Sequence, residues 1–275
     1  MKVHSIWLVV LSFWALTAYA GTVSVNLGAA DTFGLLGGTI SNTGTSKVTG
    51  NVGATTTITG FPPGTATGTV YPFPNDPTVE TAYTAFENAD TQAWSYVSTA
   101  LPLGTLMTSQ TFIGNNAYAS ATDISTATGI NLTFDAQGNP NEVFVILVGG
   151  ALTVNGAMTF TLEGGAQTSN IFWVVEDAAT ISVGSSGPIT FDGNILAGTS
   201  FTMSAGSVGS GVLAGTINGC VYAETANTLA GETNVNGPCA SPSGNVPEPG
   251  TATLLSMGLL FSLIVYGRRS RKKAA

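Results

Sequence analysis

Three stretches of the chain each pair an unbroken apolar run with an alternating one. VFVILV (143–148) is followed by two glycines and then Ala151-Leu152-Thr153-Val154. IFWVV (171–175) leads to Thr180-Ile181-Ser182-Val183, and NILA (194–197) leads to Ser200-Phe201-Thr202-Met203. Gly211-Val212-Leu213-Ala214 opens a fourth copy, and LAGT recurs unchanged at 196–199 and 213–216. An unbroken run suits a strand covered on both sides, whereas alternation suits a strand with one wet face. The period shortens along the chain from about 28 to about 17 residues. Repeats of this length build a solenoid in which each coil gives one strand to each face, and a drifting period argues against propeller blades. The pattern predicts a mostly β fold, an irregular β-solenoid with coils of unequal length, filling residues 21–240.

One segment departs from this pattern. Thr78 to Ala100 contains no Gly or Pro, and Val79, Tyr83, Phe86, Ala89, Ala93, Val97 and Leu101 fall on one stripe at steps of three and four. Thr78 is the expected N-cap after Pro77, with Asp76 and Glu80 near the positive end of the dipole, and Pro102 ends the helix. A helix over about 78–101 needs an apolar partner, and the doubly apolar strands need a cover, so the two are expected to pack together. Upstream, strands are expected at 25–27, 33–36, 39–41 and 47–52. Pro62-Pro63-Gly64 and Tyr71-Pro72-Phe73-Pro74 form a rigid connection to the helix. The chain thus starts the solenoid, leaves it for the helix and returns.

The two ends read differently. Lys2, an apolar run from Ile6 to Leu16 and the triplet Ala18-Tyr19-Ala20 have the layout of a secretory signal peptide ending at residue 20. At the other end, Thr251 to Tyr266 carries no charge and is followed by Arg268, Arg269, Arg271, Lys272 and Lys273, a stop-transfer arrangement. Residues 241–250 are a linker that includes Pro247-Glu248-Pro249. Pro-Glu-Pro, a short apolar segment and an Arg-rich end resemble, in that order, the PEP-CTERM sorting signal. That resemblance implies recognition by an exosortase-type processing enzyme, only transient membrane contact, and display outside a Gram-negative bacterium. A plain C-terminal anchor is the competing reading.

Removing both ends changes the charge. Between Gly21 and Asn245, Lys47 is the only Lys or Arg against fourteen carboxylates, a net charge of −13. Nucleic-acid binding needs basic surface to displace counterions and is excluded. The only histidine, His4, lies in the signal peptide. Cys220 and Cys239 are the only cysteines, and in an exported chain such a pair forms a disulfide. With no histidine and no Cys-x-x-Cys, no metal or cofactor is expected. The carboxylates are dispersed. Glu176-Asp177 is the adjacent pair, and Asp135 and Asn139 sit in a turn-like DAQGNPN. Acid–base chemistry wants paired carboxylates or a His beside a nucleophile, so the chain is not expected to be an enzyme.

The order of the pieces resembles the DUF3494 family of bacterial and fungal ice-binding (antifreeze) proteins. The residues that carry the likeness are VNLGAADTFGLLGGTISNTG (25–44), VTGNVG (48–53), TGFPPGT (59–65), the helix, FDAQGNPNEVFVILVGGALTV (134–154), GAQTSNIFWVV (165–175), GNILAGTSFTM (193–203) and Pro238-Cys239. The resemblance implies a discontinuous β-solenoid of triangular section, a long helix along one face and a flat ice-binding face on another. Family members often carry a Cys beside Gly-Ala-Gln. Here that stretch has Thr168 and Ser169, so Cys220 has to serve instead.

The resemblance directs attention to the hydroxyls. With Leu152, Val154, Ile181, Val183, Phe201 and Met203 inward, period two turns Thr153, Thr180, Ser182, Ser200, Thr202 and Ser204 outward. Asn155 and Ser207 are expected at the edge of this face, and Thr49 and Asn51 as an extension of it. Stacked coils about 4.8 Å apart would form a flat, charge-free lattice of hydroxyls and methyls able to hold ice-like water. The expected partner is an ice crystal surface and the expected state a monomer. The alternative is a structural or adhesive matrix protein without ice activity.

Overall fold

The computed structural model describes residues 23–71, 74, 76–183, 187–204, 213–237 and 239. The signal peptide, the Pro-Glu-Pro motif with its apolar and basic tail, and Ser207 lie outside the described residues. Parallel strands wind into a solenoid of three faces with α1 (Pro77–Trp94) laid along one of them. The irregular β-solenoid with its helix is therefore the fold observed.

The face under α1 carries Leu101–Pro102, Asn116–Ser120, Phe144–Val148, Ile171–Val175 and Asn194–Ala197. The first parts of Val221–Leu229, Phe33–Asn42 and Asn51–Thr59 follow, and Val70–Tyr71 ends it. The unbroken apolar runs now have their physical reason. In Ile171–Val175, Ile171, Trp173 and Val175 point into the lumen, while Phe172 and Val174 point at the helix. The lumen is filled by an aromatic stack in which Phe134, Phe160 and Phe191 surround Trp173. Outside, Val79, Ala82, Phe86, Ala89 and Ala93 of α1 meet Leu36, Val145, Phe172, Leu196 and Tyr222. Alanine at three of the five helix positions lets the backbone approach closely.

The helix ends differ from expectation. Asp76, not Thr78, is the N-cap. Its carboxylate accepts the Thr78 N–H at 2.8 Å, with Pro77 at the first position, where no N–H is needed. The α-helix stops at Trp94 and a short 3₁₀ turn, Val97–Thr99, follows, so Val97 and Leu101 are half exposed instead of completing the stripe. Residues 25–27 form no strand. Val25 and Leu27 are buried and lead into the 3₁₀ turn Gly28–Thr32.

The order of coils was not predictable from the repeat. Strands on the helix-covered face begin at Asn116, Phe144, Ile171, Asn194 and Val221. The two LAGT copies are therefore not equivalent. The first closes a helix-covered strand, while the second lies in Leu213–Asn218 on the third face. The first strands of the chain also stack beyond the last coil, Leu35 against Val221 and Ser41 against Thr228. The coil made by Phe33–Asn42 takes its third-face strand, Glu232–Val235, from the other end of the sequence. The Cys220–Cys239 bridge, with Cα atoms 5.4 Å apart, fastens this closing strand.

Candidate functional site

Among the described residues, nothing is packed over the face next to the covered one. It holds Ile124–Ser125, Leu152–Asn155, Ala179–Ser182, Ser200–Ser204, residues 226–229, 39–42 and 57–59. Alternation sends Leu152, Val154, Ile181, Phe201, Met203, Leu229 and Ile40 into the core. The outward residues stand in register. Ser125, Thr153, Thr180, Thr202, Thr228, Ser41 and Thr59 form one column across seven strands. At 4.8 Å per strand this column is about 29 Å long. A second column joins Asn155, Ser182 and Ser204, and a third joins Ser200, Ala226, Thr39 and Thr57.

The structure thus brings together Thr153, Asn155, Thr180, Ser182, Ser200, Thr202 and Ser204, as the alternation predicted. It does not bring Thr49 and Asn51 with them. Asn51 is in register with Phe33, before the covered part of its strand, and its side chain is used locally. The Asn51 Oδ1 accepts the Thr69 N–H at 2.8 Å, and the Nδ2 donates to Thr32 Oγ1. Thr49 lies in the corner ahead of that strand, its N–H bonded to Val235 O. The N-terminal extension of the column is instead Ser41 and Thr59, with Thr39 and Thr57 beside them. These four, with Ser125 and Thr228, were missed by pattern reading. The signal existed in the alternation Thr39-Ile40-Ser41 and Asn227-Thr228-Leu229. What the repeat could not supply was their register.

Two properties set this face apart. No described residue on it is charged, whereas Lys47, Asp135 and Glu163 stand on the third face, where Asp135 and Glu163 are direct neighbours. The third face also has a threonine column, Thr111-Thr133-Thr161, but it spans only three strands and its sheet does not continue into the five-stranded one beside it. Asn131 accepts from both Thr159 and Thr161 there at 3.0 Å, so those hydroxyls are partly consumed. On the open face, the outward side chains of the described residues form hydrogen bonds at the two ends of the array, Asn155 Nδ2 to Ser125 Oγ at 2.9 Å and Thr59 Oγ1 to Ile40 O at 3.4 Å, and at its border, Thr39 Oγ1 to Thr225 O at 3.2 Å. Threonine and serine lose little rotamer freedom when a surface is immobilised, so the array is preorganised.

Carboxylate chemistry gathers elsewhere. A cleft of about 350 Å³ between α1 and the solenoid is lined by Asp90, Trp94, Glu176, Gly198 and Glu224. Burial, and secondarily the Glu224 charge, pushes the Asp90 carboxyl up to about 6, and its Oδ1 is buried without a partner. Glu224 is raised by burial and by Glu87. Glu176 and Asp177 are exposed at the corner that leads to the open face. Asp135 and Asn139 are turn formers, accepting the N–H groups of Gln137 and Asn141.

Known proteins share this fold. The family described as Ice-binding-like matches residues 35–235. An ice-binding protein of Nostoc sp. is 31% identical over 98% of this chain and 97% of its own length. One from Colwellia sp. is 31% identical over 80% of this chain and 86% of its own. Among solved structures, an ice-binding protein from an Antarctic biological consortium superposes with a TM-score of 0.65 at 29% identity, covering 76% of this chain and 90% of that one. An ice-binding protein of Antarctomyces psychrotrophicus also gives 0.65, at 28% identity over 78% of this chain and 99% of that one. A family match across the whole solenoid and a relative aligned end to end lead to one conclusion: the chain belongs to the ice-binding-like family.

Proposed function

We propose that this protein adsorbs to ice through its open face and thereby restrains the growth and recrystallisation of ice. The observation that carries the reading is the in-register seven-strand column from Ser125 to Thr59, free of charge and uncovered among the described residues, on a fold of this family. A repeat of small hydroxyls and methyls can hold a water layer that continues into the crystal. A charged group would orient its own hydration and break that layer. No catalytic step is assigned, and the binding needs neither metal nor cofactor. Thr153, Thr180, Ser182, Ser200, Thr202 and Ser204 are the central contacts. Asn155 is at the border, and Thr228, Ser41 and Thr59 complete the site.

The same proposal places the protein outside the cell. The leader before Gly21 exports it, and the segment around Pro247-Glu248-Pro249 delivers it to the surface of a Gram-negative host through an exosortase-type enzyme. The domain acts as a monomer, because a flat face needs no second copy to meet a crystal. Recrystallisation inhibition by the purified domain tests the ice reading. Inhibition at micromolar concentration supports it. Ice grains that coarsen as fast as in buffer would leave a matrix role for the fold.

A further inference from the structure

One strand of the open face is a residue short. Phe33–Asn42 passes from the covered face to the open face with a single residue, Gly38, between Gly37 and Thr39. The strand on one side has two residues at that corner, Glu224 and Thr225, and the strand on the other side also has two, Thr55 and Thr56. The coil beyond, with Gly198 and Thr199, has two as well. One missing residue reverses the alternation of everything after it. Gly37 is in register with Ala223, which faces the lumen. Alternation continued from Gly37 without interruption would turn Thr39 and Ser41 inward and Ile40 outward. The strand does the opposite: Ile40 is in the core, and Thr39 and Ser41 stand in register with Ala226 and Thr228. The phase is therefore corrected at the corner.

We propose that Asn227, seated against Gly37 and Gly38, is a positioning residue that sets this phase and so adds Thr39 and Ser41 to the site. The consequence for ice rests on the ice-binding reading above. Asn227 is fully buried, and its neighbours in register are the core residues Phe201 and Ile40. An apolar side chain would suit that place better, since the Asn227 Oδ1 has no hydrogen-bond partner. What the amide supplies is its Nδ2, which donates to Leu36 O at 2.8 Å, the last carbonyl before the two glycines. The ladder to Val221–Leu229 is interrupted just beyond it, and the amide holds the two strands together across the interruption. The glycines leave room for this. A Cβ on Gly37 would stand 2.5 Å from the Asn227 Nδ2, and one on Gly38 would stand 2.5 Å from Thr225 O and 2.6 Å from Glu224 O. The two residues that bulge opposite Gly38 are held as well. Glu224 O accepts from Tyr83 Oη at 2.8 Å, and Thr225 O accepts from Thr39 Oγ1 at 3.2 Å. Of these three bonds, only that of Asn227 joins the covered part of one strand to the open part of the next.

Cross-linking reads the register directly. Cysteines replacing Ser41 and Thr228 bridge on mild oxidation while the strands keep register, whereas a slip of one residue points the two Cβ atoms to opposite faces. The exported protein carrying this pair is compared with the same protein bearing Asn227→Val. Cross-linking should slow at least about tenfold in the Asn227→Val background, since a bridge then needs local opening of the strand. Thermal hysteresis, measured on Asn227→Val without the added cysteines, should fall. One glycine inserted after Gly38 gives this strand the two-residue corner of its neighbours, and in Asn227→Val it should restore both cross-linking and hysteresis. Asn194→Ala controls for stability alone: it should lower the melting temperature and leave cross-linking of the folded protein at the parent rate. Equal slowing there, or parent-rate cross-linking in folded Asn227→Val, overturns the proposal. If Asn227→Val does not fold, the insertion decides. Restored folding and cross-linking support the proposal, and an insertion variant that stays unfolded or cross-links slowly overturns it. Slow cross-linking rescued by the insertion, in a protein whose parent form has no effect on ice, would keep the positioning role and overturn the ice reading.

Discussion

Thr202 stands at the middle of the long column, flanked in register by Thr180 and Thr228, with Thr153 beyond on one side and Ser41 beyond on the other. Replacing it with tyrosine puts a rigid ring in the centre of a flat face. Tyrosine stands about 4 Å prouder than threonine, while a gap of only about 0.5–1 Å already forfeits a quarter to a half of a dispersion contact. A crystal cannot bend to follow that step. Strands about 4.8 Å away on either side lose their contact with it, and so does most of the column. Each 1.4 kcal/mol lost is about tenfold in affinity, and several contacts are lost together, so adsorption should fall by more than about tenfold. Stability should change by no more than about 0.5 kcal/mol, because the Thr202 side chain points outward, is partly exposed, and tyrosine is a good strand former. The control is Thr84→Tyr on the exposed side of α1, where helix propensity is nearly unchanged. Thermal hysteresis and melting temperature are measured for both. A folded Thr202→Tyr protein with full hysteresis would refute the reasoning and move attention to the third-face strands around Thr159–Glu163 and Ile189–Asp192.

The remaining predictions concern the scaffold. The fold favours the neutral Asp90 carboxyl, raised from 3.8 to about 6, so its stabilising contribution is complete below about pH 4 and lost as pH rises through about 6. Asp90→Asn should therefore stabilise the fold at pH 8 but not at pH 4, by on the order of 1 kcal/mol after discounting for solvent screening, seen as a higher melting temperature at pH 8 only. Ice activity of the unmutated protein should be flat from pH 5 to pH 8, since the open face carries no titratable group among its described residues; a hysteresis that follows the Asp90 titration would contradict this. Replacing Cys220 and Cys239 by serine should cost about 3 kcal/mol on the loop-entropy estimate, seen as an earlier denaturant midpoint, with ice activity kept while the protein stays folded. Asn194→Ala should cost more than about 3 kcal/mol in the same assay, because its buried side chain donates to Ser169 O and Ile171 O and accepts the Cys220 N–H.

What the sequence disclosed follows from which interactions are local. Burial on two sides leaves an unbroken apolar run, and burial on one leaves alternation, so Ile171–Val175 and Ala179–Ser182 could be assigned their faces from pattern alone. Six central residues of the candidate site, and Asn155 at its border, followed from this. Register between coils is different, because it is set by packing between segments far apart in the chain. Ser41 meets Thr228 across 187 positions, and nothing local in either strand announces the other. The identical LAGT segments misled for the same reason, since four residues fit either a covered strand or a third-face strand. Asp76 displaced Thr78 as the cap because Pro77 already satisfies the first helical position. Asn51 carried the right residue type for an extended site, but its side chain closes a corner with Thr69 and Thr32.

The most direct measurement of the central claim is partition into growing ice. Polycrystalline ice is grown slowly from a dilute solution holding the unmutated domain, Thr202→Tyr and a non-binding protein of similar size, each with its own label. The unmutated domain should be incorporated into the ice, while Thr202→Tyr stays in the liquid with the non-binding protein. Exclusion of the unmutated domain from the ice, or incorporation of both forms alike, would contradict it.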